Sequence, residues 1–145
     1  MRKVYLTHTD IIHLTNELIR ECIKDNFYPN VVVAPVRGGL VPGNYVSQYF
    51  DVPLIALNKD YNQNDLPGEN NILVIDDIND TGATFNKLEN DFVATFVPQT
   101  RKYGVLLDNQ ASNFTTDYCG KIINKAEDNC WIVFPWEEWW KLKTS

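Results

Sequence analysis

The sequence is short of what would tie it to a membrane, a disulfide framework or a nucleic acid. No run approaches the ~20 consecutive apolar residues that a membrane-spanning helix needs; the longest, at 31–36 and 72–75, are of strand length. Three cysteines, Cys22, Cys119 and Cys130, leave an odd one over and show no Cys-x-x-Cys spacing, the pattern of reduced thiols. A zinc site would have to recruit His8 or His13 from across the chain. Lys and Arg number 13 against 19 Asp and Glu, a formal charge of −6, which is the reverse of a nucleic-acid-binding surface. No long apolar region follows the charges of Met1-Arg2-Lys3-Val4-Tyr5, so no signal peptide is visible and a cytoplasmic location is expected. Repeats and low-complexity tracts are absent too.

What remains is ordinary globular material. In 145 residues, 44% hydrophobic and 12% aromatic, there is apolar area for one domain over 1–145 with its own core. Ile11, Leu14, Leu18 and Cys22 follow the 3.6-residue period, and Thr7 with Asp10 forms a capping-box pattern, so a helix is expected over about 10–24. Residues 31–36 read as a buried strand, broken by Arg37-Gly38-Gly39. A helix follows over 40–50, with Pro42 tolerated in its first turn. A strand at 53–57 leads to a polar stretch, 58–71, expected to be a flexible active-site loop. Strand 72–75 ends in Asp76-Asp77. The spacing of Phe85, Leu88, Phe92 and Phe96 predicts a helix over about 83–97, stopped by Pro98. A strand is expected at 103–107, and 118–123 with 130–134 read as a closing pair. Helices alternating with apolar strands indicate an α/β fold around a mainly parallel central sheet. Ligands in such sheets sit beyond the carboxyl ends of the strands. Arg37-Gly38-Gly39, the loop from Asn58, and residues 76–84 all fall there.

The richest of these is Asp76-Asp77-Ile78-Asn79-Asp80-Thr81-Gly82-Ala83-Thr84. A strand delivers two acids, then a small-residue turn opens a helix. Backbone N–H groups of such a turn, backed by a helix N-terminus, form a nest for a phosphate, and the Thr81 and Thr84 hydroxyls can add donors. Asp76 and Asp77 do not suit phosphate; they suit neutral hydroxyls or a hydrated Mg2+. Hydroxyls, a metal and a phosphomonoester side by side describe a sugar phosphate. Two other readings of these residues fail on their surroundings. Asp80-Thr81-Gly82-Ala83 matches a retroviral-type aspartic protease, but that needs an all-β chain. An acid pair also marks a response-regulator receiver, where it follows the first strand.

Residues 72–84 resemble the 5-phosphoribosyl-1-pyrophosphate (PRPP) motif of the type I phosphoribosyltransferases, with Asn79 where that family usually has an aliphatic residue. Residues 34–43, Ala-Pro-Val-Arg-Gly-Gly-Leu-Val-Pro-Gly, resemble the pyrophosphate loop of its xanthine–guanine branch. Residues 130–137, Cys-Trp-Ile-Val-Phe-Pro-Trp-Glu, are similar to that branch's C-terminal segment. The resemblance implies the family's fold, with a small hood formed by the chain ends. It implies transfer of 5-phosphoribosyl from PRPP to a purine-type nucleobase, with release of pyrophosphate; a non-catalytic PRPP- or nucleotide-sensing regulator is the alternative. It assigns the 5′-phosphate to Asp80, Thr81, Gly82, Ala83 and Thr84, and pyrophosphate to Arg37, Gly38 and Gly39. Ribose hydroxyls and Mg2+ fall to Asp76 and Asp77, and proton handling to Asp80. Trp131 covers the base and Ile132 lends backbone groups to its edge. A cis peptide is implied at Val36–Arg37, and a homodimer or homotetramer as the assembly, with the aromatic tail 136–140 as a contact surface.

At the end of the strand at 103–107, family members acting on 6-oxopurines carry a Lys. Asn109, or Asp108 with a one-residue shift, stands there. Arg101 and Lys102 lie at the strand's other end, and Lys121 on the next segment. The expectation is a base edge met by Asn109 without charge assistance, with weak use of 6-oxopurines or a shift toward an amino-bearing base.

Overall fold

The computed structural model describes residues 1–144. In chain order the elements are β1 (Arg2–Tyr5), α1 (His8–Lys24), β2 (Val31–Pro35), α2 (Leu40–Phe50), β3 (Leu54–Leu57), β4 (Asn71–Asn79), α3 (Ala83–Ala94), β5 (Thr100–Asn109), β6 (Tyr118–Ile123) and β7 (Cys130–Val133). Five strands form one sheet in the order β3-β2-β4-β5-β6, every neighbouring pair parallel. Strands β1 and β7 pair separately, also in parallel, and make the hood from the two chain ends.

Side-chain alternation along the strands builds two cores. Val31, Val33, Ile72, Val74, Tyr103 and Val105 point to one face and pack against Phe85, Leu88 and Phe92 of α3. Val32, Leu73 and Ile75 point to the other and meet Leu18, Ile19 and Cys22 of α1 and Val46 of α2. Each such large side chain, fully buried, is worth roughly 1.5–3 kcal/mol. A third cluster, including Ile11, Leu106, Ile132 and Phe134, seats the hood on the sheet. Among the described residues no helix is long and apolar enough to cross a membrane.

Two expectations are corrected. Residues 118–123 and 130–134 do not pair with each other: β6 adds to β5, Asn109 opposite Ile123, while β7 leaves to pair with β1, Tyr5 opposite Val133. Tyr118, 3% exposed, buries its ring beside Phe27, and the Cys119 amide donates to Glu21 of α1, so β6 is held at the sheet edge. The helix expected over 83–97 ends at Ala94: the Thr95 hydroxyl donates back to Phe92 O at 2.6 Å, and Phe96 turns left-handed (φ 59°), 90% exposed.

The sheet order also locates a crevice. From β2 the chain passes to β3 on one side, then crosses to β4 on the other. The carboxyl ends of β2 and β4 therefore flank the topological switch point, where open α/β sheets bind their ligands.

Candidate active site

Helix α1 closes its own N-terminus: the Asp10 amide donates to Thr7 Oγ1 (3.1 Å) and the Thr7 amide to Asp10 Oδ2 (2.8 Å). Helices α2 and α3, which open at the switch point, have Gly39 and Gly82 at their N-caps and no side-chain capping bond. The first amide of each is turned back on its own loop, Leu40 N to Arg37 O (3.1 Å) and Ala83 N to Thr81 Oγ1 (3.3 Å); the next N–H groups and the positive dipole ends face the crevice, an arrangement suited to anions.

Ahead of α3, the 80–84 turn is braced from outside. Gly82 is left-handed (φ 95°), and a Cβ there would lie 2.9 Å from Phe114 N and Ser112 Oγ. The Asn113 amide donates to Thr81 O at 3.2 Å, and Asn86 Nδ2 to Asn113 Oδ1 at 2.9 Å. Asn79 is 3% exposed; its Nδ2 donates to Asp108 Oδ1 and Phe114 O, both at 2.8 Å, and its Oδ1 accepts from Ser112 Oγ at 3.0 Å. An amide at this position thus ties the 110–117 connection to β4. The turn and the acids line a cleft of about 200 Å3 formed by residues 76–85.

Asp76 is 8% exposed and accepts from the Asp77 amide at 2.8 Å; Asp77 Oδ1 accepts from the Ile78 amide at 2.7 Å. Loss of solvent, then the neighbouring Asp77 charge, holds the Asp76 carboxyl well above the usual range. Burial pushes Asp77 up to about 6, with Glu137 adding repulsion. Two acids crowded where neither ionises freely fit a bound cation. Among the described residues no group of three or more His, Cys, Asp or Glu could hold a metal. A pair of acids suits an ion that keeps water and substrate oxygens as its other ligands.

The β2 turn folds onto this pair. The Val36–Arg37 bond is cis, as the resemblance implied. A Cβ on Gly38 would fall 2.6 Å from Asp77 Cγ, and one on Gly39 would fall 3.3 Å from Asp76 Cα. Arg37 is exposed and forms no ion pair among the described residues.

On the opposite side, Trp131 of β7 is 51% exposed, and Ile132 is buried beside it with its backbone in register with Val4. Asn109 lies nearby at 7% exposure, but both ends of its amide are engaged. Its Nδ2 donates to Asp80 O (2.8 Å), and its Oδ1 accepts from the amides of Ala111 (3.2 Å) and Lys125 (3.0 Å). It ties three chain segments together. Sequence reasoning missed Lys125, whose ammonium reaches Asp80 Oδ2 at 3.2 Å. The available signal was its place six residues ahead of Trp131, which becomes informative once β6 is known to run parallel to β5.

Residues 58–71 are not featureless. A 3-10 turn, Gln63–Asp65, is capped by Asn62. The Tyr61 hydroxyl donates to Asp91 of α3, Lys87 Nζ sits 4.1 Å above the Tyr61 ring, and Leu66 packs on the core. A wider cleft of about 620 Å3 opens at the amino end of the sheet, lined by Glu17, Arg20, Glu21, Lys24, Asp25, Lys102, Asp117 and Tyr118. It lies away from both uncapped helix ends.

Comparison with known proteins follows the same lines. The xanthine-guanine phosphoribosyltransferase of Desulfotalea psychrophila is 22% identical, over 94% of this chain and 88% of that protein. The purine phosphoribosyltransferase of Pyrococcus horikoshii superposes with a TM-score of 0.77 at 27% identity, covering 95% of each chain. The xanthine-guanine-hypoxanthine phosphoribosyltransferase of Helicobacter pylori gives 0.79 at 19% identity, covering 99% of each. The model of the phosphoribosyl transferase domain matches residues 2–141, nearly the full length, and the chain belongs to that family.

Proposed function

We infer that the chain transfers 5-phosphoribosyl from PRPP to a purine-type base, releasing pyrophosphate and forming a nucleoside monophosphate. The observation that carries this reading is the pair of glycine-started helix N-termini flanking buried Asp76 and half-buried Asp77 at the switch point. PRPP has this pattern of charge: two anionic ends with neutral ribose hydroxyls between them.

In this reading the 80–84 turn holds the 5′-phosphate, with N–H groups at the start of α3 and the Thr81 and Thr84 hydroxyls as donors. Arg37 and the Gly38 amide hold the pyrophosphate, and Gly39, whose own amide donates to Pro35 O at 3.0 Å, keeps the turn close against the acids. Asp76 and Asp77 hold the ribose hydroxyls and would hold Mg2+. A bound Mg2+ would neutralise charge on the departing pyrophosphate. The C1–oxygen bond breaks, its electrons leave with the pyrophosphate, and a base nitrogen bonds to C1. Positive charge developing on the ribose lies close to the acids, so stabilisation comes from fixed charge and positioning, with no protein nucleophile. Asp80, whose carboxylate pairs with Lys125, accepts in this reading the proton the base loses. Trp131 provides the face for stacking, and the Ile132 backbone meets the base edge. Residues 58–71 close over PRPP and exclude water.

The assembly proposed is a homodimer or homotetramer; Trp139 and Trp140, 53% and 57% exposed, give the tail an apolar surface for it. The activity is tested with PRPP, Mg2+ and a panel of nucleobases, reading pyrophosphate release. Release that depends on a purine supports the assignment; none with any base counts against it.

A further inference from the structure

One cation on the base side of the cleft belongs to none of the sequence motifs. Lys125, in the connection between β6 and β7, holds its Nζ 3.2 Å from Asp80 Oδ2 and 5.6 Å from the centre of the Trp131 ring, with its side chain 15% exposed. It is fixed from behind. The Lys125 amide donates to Asn109 Oδ1 at 3.0 Å, Asn109 Nδ2 donates to Asp80 O at 2.8 Å, and the Gln110 amide donates to Ile123 O at 2.7 Å. The ends of β5 and β6 and the turn after β4 are thereby locked into one frame with the ammonium at its centre. A lysine largely withdrawn from solvent that points its charge at both an aromatic face and the Asp80 carboxylate is placed for a ligand.

We propose that Lys125 reads the edge of the base and selects bases that present an oxygen acceptor there over bases that present an amino group. The proposal rests on the transferase reading of the site. An ammonium has three donors and no acceptor, so an oxo group completes its hydrogen bonding, whereas an amino group offers only a further donor. A base laid on Trp131 takes the place the ammonium occupies over that ring. The flexible four-carbon stem then lets Nζ move to the base's rim while remaining near Asp80. The cation missing from the end of β5 is supplied from the β6–β7 connection, and Asn109, expected to meet the base, instead positions it. The edge of the base is charged after all, and the expected shift toward amino-bearing bases is reversed.

The test is calorimetric binding of a 6-oxopurine nucleotide (IMP) and a 6-aminopurine nucleotide (AMP) to wild type, Lys125→Met, Lys125→Gln and Lys125→Arg. Wild type should bind IMP at least about tenfold tighter than AMP, the scale of one charge-assisted hydrogen bond. Lys125→Met and Lys125→Gln should weaken IMP by about tenfold to a hundredfold, leave AMP nearly unchanged and leave PRPP affinity within about twofold. Lys125→Arg, which keeps the charge, should retain the preference. If Lys125 serves only as a partner for Asp80, IMP and AMP binding will move together, and that result overturns the proposal. A wild type that prefers AMP, or a neutral variant that keeps the IMP preference, overturns it as well. The transferase reading fails separately: wild type would bind IMP selectively yet form none from hypoxanthine and PRPP.

Discussion

The carboxylate of Asp77 fills the space that a side chain at Gly38 would need, with the position of a Gly38 Cβ only 2.6 Å from Asp77 Cγ. The turn after β2 and the acids of β4 are therefore one unit, and the pyrophosphate and ribose subsites assigned to them are coupled. Gly38→Ala should displace the Asp77 carboxylate and lower kcat/KM at least tenfold, a loss of about 1.4 kcal/mol, while the melting temperature changes little. Wild-type kinetics in Gly38→Ala would show that the two loops act independently.

Asp77 carries a cost that its substitution should reveal. Its carboxyl is raised from 3.8 to about 6 in the folded chain, chiefly by burial. A group whose folded pKa lies above its unfolded value favours folding while protonated, and that contribution is lost as pH rises through the folded pKa. In ligand-free protein, Asp77→Asn should therefore gain stability relative to wild type between pH 4 and 7.5, by an amount on the order of 2 kcal/mol. The Asn Oδ1 still accepts from Ile78. Activity should fall about a hundredfold or more, roughly 3 kcal/mol of transition-state stabilisation. Melting curves of both proteins across this pH range decide the first part: a flat difference contradicts it. Near-wild-type turnover contradicts the second.

Asn79, where the family usually has an aliphatic residue, makes three partly buried hydrogen bonds, to Asp108, Phe114 and Ser112. Asn79→Leu would strand Phe114 O and the Asp108 carboxylate without that donor. Denaturant unfolding should show a loss of about 2–3 kcal/mol. Unchanged stability would mean that the 110–117 connection is held by Phe114 packing alone.

Much of the site was legible because it is local. Asp76 to Thr84 and Arg37 to Gly39 each lie in one short segment, and their chemistry follows from strand, turn and helix in succession. The capping box at Thr7 and the alternation of buried residues in β2 and β4 are equally local. What escaped the sequence depends on partners far along the chain. β7 pairs with β1 at the other end of the molecule, and Lys125 reaches Asp80 only because β6 lies parallel beside β5. The spacing of Phe85, Leu88 and Phe92 marked a real helix, but Phe96 continued the pattern by coincidence, beyond a turn that the Thr95 hydroxyl stops.

The 58–71 loop begins at the carboxyl end of β3 and is pinned to α3 through Tyr61. As a lid, it should exchange amide hydrogens quickly in the free protein over 62–70, and slowly once PRPP and Mg2+ are bound. Equal exchange in both states would contradict the closure.

The most direct test of the central claim is the stoichiometry of the reaction. Wild-type protein is incubated with PRPP, Mg2+ and a 6-oxopurine, and nucleoside monophosphate and pyrophosphate are quantified together by mass spectrometry and enzymatic assay. The account predicts equal amounts of the two products, formed only when base, PRPP and Mg2+ are all present, and about a hundredfold less in Asp77→Asn. PRPP that binds without yielding either product, or pyrophosphate released without nucleotide, would contradict it.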